Sequence, residues 1–221
     1  TRNVACAGAR PLAITDCLNF GDPEQPEIMW QFVEAIEGMC EACEMLDAPV
    51  VSGNVSLYNS SFDKAIYPTP TVAAVGAFDR PLSEGAYASM GFVDADDRVF
   101  LLGHTERIEL GGSEYLMMKT GSIGDRPPAI DLAAERRLQD AIIEAVSEGI
   151  AKSTHDCSEG GLGVALAECL MEADDLGFEL ELDPGARPDH VLFSESASRI
   201  IVSVDDDDLA QLEELAARHG V

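Results

Sequence analysis

The chain has 221 residues, with 14 Lys and Arg against 41 Asp and Glu, a formal charge of −27. That balance excludes a nucleic-acid or anionic-membrane binder, because either partner needs a basic face to offset phosphate charge, and no apolar run reaches the roughly 18 residues that span a bilayer. Hydrophobic residues at 46% and charged residues at 25% describe a folded protein with an acidic surface, long enough for one large or two small domains.

The first residues, Thr1-Arg2-Asn3-Val4, carry neither an initiator Met nor the apolar segment of a signal peptide. An excised piece of a longer cytoplasmic protein is expected. Ile14-Thr15-Asp16-Cys17-Leu18-Asn19-Phe20-Gly21 then puts an Asp near the end of an apolar segment, where it either caps a turn or binds a metal or nucleotide hydroxyl. From Pro26, Ile28, Phe32, Val33, Ile36, Met39, Cys40, Cys43 and Leu46 recur at three- and four-residue steps between glutamates, which predicts an amphipathic helix. Cys40-x-x-Cys43 has redox or metal spacing, but it lies on that helix's apolar face without a second pair or a nearby His, so core packing is expected of it. The six cysteines are too few for a disulfide scaffold.

Val50 to Leu57 reads as a β segment interrupted by Gly53-Asn54, a pair suited to a hairpin turn or to a loop that a magnesium phosphate approaches. Thr71 to Phe78 reads as a buried strand. The stretch from Pro81 to Asp97 has no sustained period and is taken as the domain boundary, dividing the chain into 1–80 and 81–221. Beyond it, Val99–Gly103 is a predicted strand, and Gly111-Gly112-Ser113 and Gly160-Gly161 are glycine clusters that start helices, by tight turning or around an anion. Helices are expected over Asp131–Gly149 and Gly161–Ala173, strands at Phe178–Leu182 and Arg199–Val204, and a last helix capped by Asp205–Asp208. His155 and Asp156 are neighbours on a strand and so point to opposite faces, which argues against a hydrolase triad. Strands alternating with helices imply α/β and α+β layers.

The charge is uneven: residues 1–80 hold 4 basic and 11 acidic side chains, residues 81–221 hold 10 and 30. Only Lys64, Lys119 and Lys152 are lysines, a depletion that with this much Asp and Glu suggests a salt-adapted or high-GC source.

Together the segments Gly8–Gly21, Pro26–Phe32, Pro49–Asn59, Tyr67–Pro70, Gly111–Tyr115, His155–Leu162 and Leu192–Ser196 resemble the synthetase subunits of phosphoribosylformylglycinamidine synthase, within the aminoimidazole-ribonucleotide-synthetase-like superfamily. The resemblance covers essentially the whole chain, and the Trp30-Gln31-Phe32 and Ser52-Gly53-Asn54-Val55-Ser56 segments favour this synthase over other synthetases of the superfamily. It implies an α/β domain (1–80, N-type and partial, truncated at its start) that pairs through its sheet, plus an α+β domain (81–221, C-type), forming the second of two tandem pairs. It also implies an ATP-dependent C–N ligase of purine biosynthesis that converts formylglycinamide ribonucleotide to the amidine, with ammonia from a glutaminase. By motif, Asp16 and Gly53 resemble ATP contacts, Asn54 a magnesium ligand and Ser56 a substrate contact. The resemblance also implies that the proposed catalytic His lies in the first tandem half, absent here, so this piece is expected to be inactive alone. The alternative is a nucleotide-binding scaffold half without catalytic duty.

Overall fold

The computed structural model describes residues 1–82, 85–103, 109–124, 126–171, 173, 175–182 and 187–221. Two compact units form, one from Thr1 and Pro11–Ala77, the other from Arg2–Arg10 and Phe78–Val221.

In the first unit, strands β1 (Arg10–Asn19, entered from the second unit at Pro11), β2 (Val50–Ser56) and β5 (Thr69–Ala77) make a sheet of order β2-β1-β5. A small hairpin of β3 (Ser60–Ser61) and β4 (Lys64–Ala65) turns at Phe62 and Asp63, both at positive φ, the backbone that matches the twist of a two-residue turn. Helix α2 (Pro26–Leu46) starts on a proline and ends at Asp47 in a left-handed cap. Its small core gathers Leu18, Phe20 and Ile28, with Phe32 edge-on to Phe20 at 5.0 Å.

Several expectations change here. Gly53-Asn54 makes no hairpin: β2 runs straight through both residues, because parallel pairing with β1 from Ile14↔Val50 to Asn19↔Ser56 supplies their ladder partners. β5 forms but is not buried, since Val72 and Val75 stand 49% and 59% exposed. Ile28 is the buried residue of α2; a 21-residue helix is about 31 Å long, more than this core covers. Cys40 is accordingly exposed and Cys43 half-buried, rather than core.

The second unit has an antiparallel sheet of β6 (Arg98–Gly103), β8 (Arg199–Val204) and β7 (Ser153–Asp156), in the order β6-β8-β7. Every residue of β8 is buried. Ile200, Val202 and Val204 pack with α4 (Leu132–Ser147) and α7 (Leu209–His219), while Ile201 packs with α5 (Gly161–Met171), the two-faced burial that period-2 alternation produces in a central strand. Short helices α1 (Arg2–Cys6), α3 (Glu114–Thr120) and α6 (Pro188–Phe193) complete it. Asp205 caps the turn before α7 by accepting from the Asp207 N–H. The expected strand at Phe178–Leu182 is absent: these residues have no regular secondary structure and join no ladder among the described residues, and Phe178 and Leu180 remain over 40% exposed. The expected end of α5 at Ala173 adjoins residue 172, outside the described residues.

Candidate functional site

The parallel register places Asp16 opposite Gly53, Cys17 opposite Asn54 and Asn19 opposite Ser56, in the C-terminal halves of two parallel strands, where α/β sheets present ligand-binding residues. Partners in register share a face and successive residues alternate. Asp16 and Gly53 therefore lie on the α2 side, where Asp16 lines a cavity with Cys40 and Cys43. Asn54 and Ser56 lie on the opposite face with Cys17 and Asn19, about 6.6 Å apart along β2. Four residues that the sequence groups as one motif are thus divided between two faces of one strand pair.

Gly53 has a specific reason to be glycine. A Cβ there would run into the Asp16 carboxylate and come within 2.9 Å of the Asp16 carbonyl oxygen. Beyond the strand ends, the Asn59 amide donates to the carbonyls of Phe20 (3.1 Å) and Ser56 (2.9 Å), and the Tyr58 N–H donates to Gly21 (2.9 Å). These bonds fix the chain that leaves β2 against the chain that leaves β1. The Tyr58 hydroxyl reaches Glu24 at 3.4 Å, and that carboxylate's charge raises the phenol's pKa above its usual value.

Among the described residues no three His, Cys, Asp or Glu side chains converge on a metal. Magnesium takes few protein ligands, ordinarily one or two carboxylates beside water and phosphate oxygens; on this face the Asn54 amide oxygen is a hard but neutral donor, flanked by the Ser52 and Ser56 hydroxyls, so it matches that set only in part.

The second unit holds a polar centre. Glu135, on α4, accepts from Arg2 (2.9 Å), Ser198 (2.6 Å) and Gln139 (2.9 Å). Burial pushes its pKa up, but the Arg2 charge and the hydrogen bonds outweigh it, and the net shift is downward. Buried Arg199 donates to the carbonyls of Ser196 (3.0 Å) and Ser194 (2.6 Å), which braces the Ser194–Ser196 turn. Glu195 in that turn accepts the N–H groups of Glu114 (2.9 Å) and Gly160 (3.0 Å). The anion that the two glycine clusters could hold is therefore supplied by the chain itself. The sequence signal for this was Ser194-Glu195-Ser196 beside two glycine clusters; what it lacked was the fold that joins them. His155 pairs with Glu168 at 2.8 Å, whereas Asp156 accepts from Ser158 and Asn3, so no relay links His155 to Asp156.

An α/β unit followed in sequence by an α+β unit is the architecture that the resemblance implies. The family models agree: residues 1–78 match "AIR synthase related protein, N-terminal domain" and residues 94–221 match "AIR synthase related protein, C-terminal domain", and the chain belongs to the AIR synthase related family. Among curated relatives, phosphoribosylformylglycinamidine synthase subunit PurL of Moorella thermoacetica is 50% identical over 220 residues, covering 100% of this chain and 29% of that protein. PurL of Thermomicrobium roseum is 50% identical over 223 residues, covering 100% and 30%. The chain thus spans less than a third of these relatives' length, and the resemblance carried by the motifs is borne out. Solved structures share the fold: Thermotoga maritima PurL complexed with FGAR has a TM-score of 0.69 at 21% identity, covering 99% of this chain and 35% of that one. The hydrogenase maturation protein HypE gives 0.63 at 16%, covering 97% and 66%.

Proposed function

We propose that this chain is one part of the ATP-dependent synthase that converts formylglycinamide ribonucleotide to formylglycinamidine ribonucleotide in purine biosynthesis. In this reading residues 1–80 are an N-type and 81–221 a C-type domain, chain beyond these 221 residues completes catalysis, a glutaminase supplies ammonia, and the protein works in the cytoplasm. The observation that supports it most is the Asp16↔Gly53 to Asn19↔Ser56 register, which sets every residue of the motif near the ends of two parallel strands, in a chain half identical to PurL.

Each residue has a chemical role on this reading. Gly53, lacking a side chain, leaves the room that the Asp16 carboxylate occupies, so that this carboxylate is held where a nucleotide would approach. The Asp16 carboxylate accepts a nucleotide hydroxyl, and the Ser56 hydroxyl donates to a substrate oxygen. Asn54 offers its amide oxygen to Mg2+, which when bound neutralises phosphate charge. With a formal charge of −27, the chain itself supplies little cationic help for anionic ligands.

A second reading, a nucleotide-binding scaffold without catalytic duty, is favoured by the separation of Asp16 from Asn54 and Ser56 on opposite strand faces. Ser56→Ala in the full-length protein separates the two. The catalytic reading expects kcat/KM to fall about tenfold, the loss of one hydrogen bond to the reacting substrate; the scaffold reading expects a lower melting temperature with unchanged kinetics. The isolated 221-residue chain is expected to form no amidine from ATP, ammonia and the ribonucleotide, and turnover by it would sink the requirement for the rest of the chain.

A further inference from the structure

We propose that Met39, Cys40 and Cys43 of α2 form a copper(I) site of three soft sulfur donors. All three line one cavity of ≈ 400 Å³ beside α2, together with Asp16, Ile36 and Val50. Met39 and Cys43 are one helical turn apart, and Cys40 and Cys43 are three residues apart, spacings that set side chains side by side with Cβ atoms about 5–6 Å apart. Both cysteines are free thiols. That separation is wider than the roughly 3.5–4.5 Å an unstrained disulfide needs, but it suits a single ion bridging two sulfurs at about 2.3 Å from each.

The donor type selects the ion. Thiolate and thioether ligands favour copper(I), which accepts low coordination. Structural zinc asks for four Cys, His or carboxylate ligands, and among the described residues not even three such side chains converge. Access is open, with Cys40 exposed and Cys43 half-buried. Asp16 and Glu44 line the same cavity, so the local field attracts a cation. Burial, the neighbouring Cys40 and the Asp16 carboxylate raise the Cys43 thiol's pKa, so copper(I) must displace protons on binding. Two S–H bonds break, three Cu–S bonds form, one of them through a lone pair of the Met39 thioether, two protons pass to solvent, and copper stays in its +1 state. Three of the four remaining thiols compete poorly: Cys6, Cys157 and Cys169 are buried, with burial pushing Cys157 up to about 11 and Cys169 to about 12; the fourth, Cys17, lies on the opposite face of the strand pair.

The inference does not depend on nucleotide binding, and its test reads metal alone. The protein is titrated without oxygen against the coloured copper(I)–bicinchoninate complex. It is expected to withdraw one equivalent per chain. Cys40→Ser with Cys43→Ser should weaken uptake by at least about 100-fold and Met39→Leu by about tenfold, since even partners that do not touch the metal change affinity by about 10–100-fold, whereas Cys17→Ser should leave it unchanged. Circular dichroism of each variant checks that α2 persists, as expected because Cys40 is exposed, Cys43 is half-buried and Met39 is only partly buried at the edge of the core. No withdrawal by the wild-type chain, equal withdrawal by the double serine variant, or tighter uptake of zinc than of copper(I) would overturn the assignment.

Discussion

Gly53 does not adopt a left-handed backbone conformation, so an alanine there is acceptable to the chain itself and unacceptable only to its neighbour. The added methyl would collide with the Asp16 carboxylate and crowd the Asp16 carbonyl. Gly53→Ala is therefore expected to cost about 1–3 kcal/mol, the range for forcing a methyl into occupied space. Combining it with Asp16→Ala should restore part of that loss, because the carboxylate is removed while the carbonyl remains. Urea unfolding of the two variants measures both values, and additive losses would show that the two residues do not touch. The sequence singled out both residues, each for its own reason, an Asp near a strand end and a Gly in a β segment. That they face each other is a property of strand register, fixed by non-local pairing, and no reading of either segment alone contains it. Cys40 failed differently. Its spacing on the helix was right, but exposure depends on how far the opposing core extends, which spacing does not encode.

Helix α1 is joined to α4 through Arg2 and Glu135, whose side chains are 19% and 3% exposed. A carboxylate this buried stays ionised because the guanidinium and two further donors hold it, which brings its pKa below 4.5. The sign follows by linkage. A depressed folded pKa contributes stability that is present above the unfolded value near 4.5 and lost as the pH falls through the folded one. In Arg2→Met the burial of Glu135 loses its main opponent, and the folded pKa should rise above the unfolded value. The variant is then expected to be less stable than wild type at pH 7 and, unlike wild type, to gain stability as the pH is lowered from 7 towards 5. Denaturation midpoints across that range check it; parallel pH profiles would mean that Arg2 does not govern Glu135. At this scale α2, α4, α5 and α7 were legible because 3.6-residue periodicity is a local signal, whereas α1 and α6, of five and six residues, are too short to show a period. The strand expected at Phe178–Leu182 was a local alternation without a partner, and alternation alone cannot supply the hydrogen bonds that make a strand.

Charge belongs to the whole molecule. Divided by sequence position, the acidity falls mainly beyond residue 80; divided by the units that form, Arg2, Arg10 and Arg80 count with the second. Thr1 and Pro11–Ala77 then hold 1 basic and 10 acidic side chains, and the second unit 13 and 31, so each carries a comparable negative charge for its size. Some acids are locally compensated: Lys152 draws together Asp94 (2.9 Å), Asp97 (2.6 Å) and Asp205 (3.3 Å), and these hydrogen-bonded carboxylates raise its pKa well above the usual lysine value. In the first unit Lys64 is the sole positive side chain, and repulsion there has almost nothing to offset it. At 0.01 M salt the screening length is about 30 Å, comparable to a domain, and at 1 M it is about 3 Å, so like charges across each unit interact at the first concentration and not at the second. The melting temperature is accordingly expected to rise from millimolar to molar KCl, with the first unit, poorer in cations, contributing at least its share. Lys152→Met, which leaves three aspartates facing one another, should steepen the rise. Calorimetry across the KCl series measures both slopes. A wild-type melting temperature indifferent to salt would remove the adaptation that the lysine depletion suggests, and equal slopes for wild type and variant would mean that the Asp94, Asp97 and Asp205 carboxylates are too well hydrated to repel.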